Sequence, residues 1–161
     1  MADFAHVKGL SELQKLLDTL PAKIEANIMR GALRSGMKEV LAEAQRNVAS
    51  DTGELRDGLK IGTKTKGGRV SASIKAKGRH GYIAPWIEFG TQPHFIPGPL
   101  KIGDNWVANA DHPGISPRPF MRPALDSMAQ SAVIAAAEYI KKRLTKKEGL
   151  DTSYIMIEGD E

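Results

Sequence analysis

The chain has 161 residues, with 41% hydrophobic, 26% charged and 6% aromatic residues and no cysteine. That composition suits one folded domain burying about two-thirds of its unfolded surface, and excludes disordered, collagen-like and disulfide-stapled classes. The missing cysteine excludes thiolate nucleophiles, zinc ribbons and iron–sulfur clusters, while a net charge of +4 and a pI near 9.3 lean basic.

No window approaches the roughly 20 apolar residues that a bilayer span needs, so no membrane partner is expected. Met1 to His6 lack a basic stretch followed by an apolar one, which reads as no signal peptide and a cytoplasmic default. Charge is segregated along the chain. Residues 58–87 hold no Asp or Glu, yet carry Lys60, Lys64, Lys66, Arg69, Lys75, Lys77 and Arg79. Beyond Leu150 the sign reverses, with Asp151, Glu158, Asp160 and Glu161. Such separation suits a nucleic-acid patch or an oligomer with complementary faces; the plainer reading is a solvated strand face.

In chain order, Leu10, Leu13, Leu16, Leu17 and Leu20 recur at helical spacing and predict a short helix from Gly9. Pro21 suits the first turn of a longer second helix. Its apolar stripe is Ile24, Ile28, Leu33, Met37, Val40, Leu41, Ala44 and Val48, ending before the turn formers Ser50 to Gly53. Gly31 and Gly36 inside it imply close packing against another element. The period then becomes two. Leu59, Ile61, Thr63 and Thr65 alternate with Lys60, Gly62, Lys64 and Lys66. After Gly67-Gly68, Val70, Ala72, Ile74 and Ala76 alternate with Arg69, Ser71, Ser73, Lys75 and Lys77. Two such runs joined by two glycines predict a hairpin with one apolar and one basic face.

Tyr82 to Phe89 reads as a third strand, at an edge or bulge because of Pro85. From Gly90 to Pro117 periodicity is lost among Pro93, Pro97, Pro99, Pro113 and Pro117, which predicts a long loop with at most a short strand near Lys101 to Ala108. Six of the nine aromatic residues fall between Tyr82 and Phe120, marking a contact surface or a cap on the sheet. Within the loop, Phe95 and Trp106 are the candidate docking residues. A last helix is expected from about Pro123 to Lys147 along Leu125, Ala129, Ala132, Ala136, Ile140 and Leu144, with a short strand between Tyr154 and Ile157. The expectation is an α+β fold: N-terminal helices and one C-terminal helix packed on an antiparallel sheet of three to five strands, with a long proline-rich loop. One domain spans 1–148, its loop at 91–117, followed by an acidic tail at 149–161.

Residues able to carry chemistry are few. No phosphate-binding glycine motif, H-E-x-x-H or G-x-S-x-G occurs. His94, Asp111 and His112 share the loop, but no supporting partners for a metal site are visible, so neither metal nor cofactor is expected. Glu88 lies between Ile87 and Phe89; burial would raise its pKa, though a carboxylate there reads as a structural anchor. No catalytic residue and no small-molecule substrate are predicted. The basic hairpin supports loose contact with a phosphate backbone, without a recognisable sequence-reading motif.

Three segments together carry a resemblance: Thr52-Gly53-Glu54-Leu55-Arg56, Trp86-Ile87-Glu88-Phe89-Gly90-Thr91, and Pro117-Arg118-Pro119-Phe120-Met121-Arg122-Pro123-Ala124. Their order resembles the neck and tail-completion (tail-component) proteins of long-tailed bacteriophages and prophages, in which "TG-x-L", "EFGT" and "P-x-PF-x-RPA" recur. The Gly9 to Leu13 pattern is similar too, and the likeness runs roughly from Gly9 to Leu144. The insertion from Gln92 to Ser116 and the tail after Lys147 depart from the common pattern. The resemblance implies a non-enzymatic virion protein at the head–tail junction or tail end, assembled in the host cytoplasm. It also implies a homo-oligomeric ring that contacts other neck or tail proteins. A tail-terminator ring is the nearest alternative, and a nucleic-acid-binding accessory protein using the basic hairpin is another. The motif residues also have local readings. Thr52 and Gly53 shape a turn, Gly90 and Thr91 redirect the chain, and Pro119 and Pro123 fix Phe120 in a core or a neighbour's pocket. Arg122 near a helix start calls for a carboxylate, and Glu88 is the candidate.

Overall fold

A computed structural model describes residues 7–8, 10–49, 52–153 and 156–157. A two-residue strand β1 (Val7–Lys8) precedes helices α1 (Leu10–Asp18) and α2 (Ala22–Asn47). A short α3 (Glu54–Gly58) leads into the hairpin β2 (Leu59–Lys66) and β3 (Arg69–Ala76). A 3₁₀ turn (Gly81–Ile83) runs into α4 (Ala84–Phe89), followed by β4 (His94–Ile102) and β5 (Asn105–His112). The long α5 (Met121–Glu148) and β6 (Met156–Ile157) complete the order.

The helical frame is the antiparallel pair α2 and α5. Ile28 and Ala32, early in α2, join Ala137, Ile140 and Leu144, late in α5, and Leu13 of α1 in one apolar core. Val40 and Ala44 join Ala124 in a second, with Val48, Leu55, Leu59 and Phe120. The buried positions of α2 are Ile28, Ala32, Gly36, Val40 and Ala44, one row four residues apart. Such a row is the ridge by which helices interlock. A Cβ on Gly36 would lie 2.4 Å from the Ala132 carbonyl oxygen, so only glycine permits this approach. The expected stripe is thus re-centred: Leu33 and Met37 are half-buried flanks, and the small residues form the seam. In α5, similarly, Leu125 is exposed while Ala124 is fully buried.

The β2–β3 hairpin forms as expected, in register from Leu59 opposite Ala76 to Lys66 opposite Arg69. Gly67 (φ 55°) and Gly68 (φ 77°) close it with the positive φ pair that tight hairpin turns require. Val70, Ala72, Ile74 and Ala76 face inward and Arg69, Ser71, Ser73 and Lys75 outward, and the inner face packs along α2.

Three expectations are corrected. Residues 82–89 are helical, not a strand: Pro85 occupies the first turn of α4, where its missing N–H costs nothing. Ile83, Ala84 and Ile87 then reach the second core on one helical face. The proline-rich segment is not a loop but the β4–β5 hairpin, closed by Gly103-Asp104 between Ile102 and Asn105. Prolines survive there because the ladder breaks at a bulge between Pro97 and Leu100. There is also no single sheet of three to five strands. β2–β3, β4–β5 and β1–β6 are separate antiparallel pairs among the described residues. The α+β class itself holds, with helices at both ends and small antiparallel sheets between. The start of the acidic tail is tied down: Leu150 N–H donates to Leu144 O, and Thr152, which is buried, shares a 2.6 Å hydrogen bond with Thr145. The acidic residues beyond Ile157 lie outside the described residues.

Candidate functional site

The three sequence motifs, far apart in the chain, converge on the second core. In the first, Gly53 (φ 82°) precedes α3, and Thr52 Oγ1 accepts from the Glu54 N–H at 3.4 Å. The turn thus leads into a short helix before the sheet, and it seats Leu55 in the core. Glu54 also meets His80 Nδ1, tying α3 to the turn ahead of α4. A cleft of about 210 Å³ between Leu55, Arg56, His80, Ile83 and Ile87 marks where the first motif faces the second.

The second and third motifs form a clasp. The Glu88 carboxylate accepts backbone N–H bonds from Phe120 (2.7 Å), Met121 (2.9 Å) and Arg122 (3.1 Å). It therefore caps α5 from another element, satisfying donors that a helix start leaves unpaired and placing negative charge at the positive end of the dipole. Phe120 has no side chain able to cap, and Glu88 substitutes for one. Burial pushes the Glu88 carboxyl up. The N–H groups of Met121, Phe120 and Arg122 outweigh that, with help from the Arg122 charge, and its pKa lies below the ordinary value. This corrects the expectation of a raised pKa. The expected Glu88–Arg122 partnership takes a mixed form: the hydrogen bond runs to the Arg122 backbone N–H, and the charge of the exposed Arg122 adds its attraction to the carboxylate.

The clasp is closed by Arg118 N–H donating to Ile87 O at 2.8 Å and by mutual Thr91–Ile115 backbone bonds of 2.9 and 3.1 Å. Thr91 Oγ1 accepts from Ile115 N–H as well. Gly90 (φ 73°) passes so close that a Cβ would stand 2.5 Å from Ile115 O and 2.9 Å from Pro117 Cδ. Pro119 and Pro123 flank Phe120, which is 1% exposed, so its place is this molecule's own core. Pro123 lies inside the first turn of α5, which starts two residues earlier than expected.

Aromatic side chains line the outside of the same unit. Tyr82 and Trp86 pack edge to face with centroids 5.3 Å apart, and both are exposed, as is Phe89 at 71%. Beside them an apolar groove of about 480 Å³ runs between Leu59, Ile74, Ala84, Phe89 and Met121.

The remaining candidates stand apart from the clasp. Trp106 is 70% and Phe95 58% exposed, so Trp106 does not cap a sheet in this chain. No described residue of β4–β5 belongs to either core. Along β5 side chains alternate, so Trp106 shares a face with Ala108, Ala110 and His112, and Phe95, opposite Asp111, lies on the other. His94 and His112 stack with ring centroids 4.9 Å apart. Among the described residues no group of His, Asp and Glu is placed to hold a metal, and no helix is long and apolar enough to cross a membrane. Lys60, Lys64, Lys66, Arg69, Lys75, Lys77 and Arg79 are all exposed on or beside the outer face of β2–β3.

Sequence reasoning missed the capping role of Glu88, because its partners are backbone groups more than thirty residues away. It also missed α4, although Ile83, Ile87 and the early Pro85 carry a helical signal.

Residues 11–90 match the family described as Bacteriophage HK97-gp10, putative tail-component. The match runs from α1 through α4 and stops at Gly90, before the β4–β5 hairpin and the third motif. No curated protein and no solved structure matches the chain. Residues 11–90, with the first two motifs seated against one core, are thus those of an HK97-gp10-like bacteriophage tail component.

Proposed function

We propose that this tail component is a non-enzymatic structural protein of the head–tail junction or tail end, acting as a ring of identical copies that docks on adjoining neck or tail proteins. The observation that carries the reading is the β4–β5 hairpin. It belongs to neither core, yet exposes Trp106 on one face and Phe95 on the other. Exposed aromatics on a projecting arm are poor investments for a solitary domain, and large aromatic anchors dominate interface energies. Two aromatic faces can serve a closed ring, where each copy offers one patch to a neighbour's different patch. The exposed Tyr82, Trp86 and Phe89 supply a second apolar surface on the same chain. The clasp accounts for Glu88, Gly90, Thr91 and Phe120 through folding, and among the described residues the one buried carboxylate, Glu88, bonds backbone N–H groups, as a structural anchor does.

Trp106→Ala tests this reading. The isolated variant should keep its stability within about 0.5 kcal/mol. Ring formation, measured by native mass spectrometry with the adjoining tail or head protein present, should be lost. A large fall in melting temperature, with assembly impaired only in proportion, would overturn it.

A further inference from the structure

We infer that the outer face of the β2–β3 hairpin is a sequence-independent contact for the phosphate backbone of duplex DNA. Register defines the surface. Lys60 stands opposite Lys75, Gly62 opposite Ser73, Lys64 opposite Ser71 and Lys66 opposite Arg69. Lys60, Lys64, Lys66, Arg69, Ser71, Ser73 and Lys75 are exposed on it, and Lys77 and Arg79 continue the charge beyond β3.

Two of these cross-strand pairs set like charges directly opposite one another, an arrangement that destabilises a sheet. No acidic residue lies between 58 and 87, and the acidic Asp18 and Glu25, which share a cavity with Arg69, adjoin the turn end of the face. The ion pairs among the described residues are Glu43–Arg46, Arg56–Asp57 and Glu54–His80, and none uses a cation of this face. Folding alone does not call for the arrangement, since the inner face supplies the packing on α2.

The composition of the face selects the partner. It carries no apolar or aromatic side chain, so it offers no anchor for a protein interface and nothing to insert into a bilayer. Without aromatics it also lacks the stacking platforms that hold single strands. It offers cations along a strip of roughly 25 Å, with Ser71, Ser73 and Gly62 small enough at its middle for close approach. Duplex DNA, with one negative charge per roughly 1.7 Å of axis, needs only that.

The test is fluorescence anisotropy of the full chain with a random-sequence duplex. Four phosphate contacts would weaken binding roughly a hundredfold between 50 and 200 mM salt. Lys60→Ser/Lys64→Ser/Lys75→Ser should weaken binding at least about tenfold and flatten the salt dependence. The charge-matched Lys38→Ser/Lys142→Ser/Lys146→Ser control should change it by less than about threefold. Acetylation footprinting of the unaltered chain should show Lys60, Lys64, Lys66 and Lys75 protected by the duplex. No binding at 50 mM salt, equal loss in both variants, or a duplex that leaves these lysines unprotected would overturn the inference. So would an oligomer that dissociates in the first variant while DNA affinity stays unchanged, because the face would then be a protein contact.

Discussion

The two long hairpins share a topology and differ in what holds them. β2–β3 lays one apolar face on α2, with Leu59 1% exposed at its base, and turns every charge outward. β4–β5 places no residue in either core, and its half-buried Leu100 and Val107 face each other across the strands. An isolated two-stranded ribbon is marginal in water, so the first hairpin is stabilised by the domain and the second needs something else. What ties β4–β5 down is the Thr91–Ile115 bridge at its base, which belongs to the clasp. The difference separates a part of the fold from a part carried by the fold.

That contrast can be broken most strongly from the core side. Leu59→Ala, at the base of the first hairpin, should destabilise the chain by about 2–5 kcal/mol in chemical denaturation. A loss near zero would mean that β2–β3 is as loosely held as β4–β5.

Glu88→Gln probes the clasp between the two hairpins. Two carboxylate oxygens now serve three N–H groups, and the amide keeps a single acceptor oxygen, so the variant should lose about 1–3 kcal/mol. The pH dependence has a definite sign. The native pKa of Glu88 is below its unfolded value, so its contribution is complete above the ordinary glutamate pKa and is lost as pH falls through the lower native value. The variant should lack that part of the acid dependence, which urea melts at several acidic pH values would read.

The smallest effect on stability should come from the second hairpin. Replacing residues 94–112 by a two-glycine link should shift stability by no more than about 1 kcal/mol, because the excised residues pack into neither core and the base is already closed by Thr91 and Ile115. A change as large as that of Leu59→Ala would remove the distinction between the hairpins.

The same distinction explains what the sequence made legible. β2–β3 follows from alternation because one face is buried, so apolar residues fall on every second position. β4–β5 buries no face, carries Pro97 and Pro99 at a bulge, and leaves no period to read; its one usable signal was the Gly103-Asp104 turn. The short α4 was hidden because six residues provide under two helical turns. The motif positions could be singled out, but the reason for Glu88 could not, since the donors it serves are backbone groups that any residue supplies. Gly36 was readable as a close approach, although its partner Ala132 was not.

Native-state hydrogen exchange of the isolated chain compares the two hairpins directly. The β2–β3 amides that pair across the ladder should approach the protection of α2, while those of β4–β5 should exchange through local opening at far lower free energy. In the proposed ring the β4–β5 amides should become protected. Equal protection of both hairpins in the isolated chain would contradict the account, because the second would then be as much a part of the fold as the first.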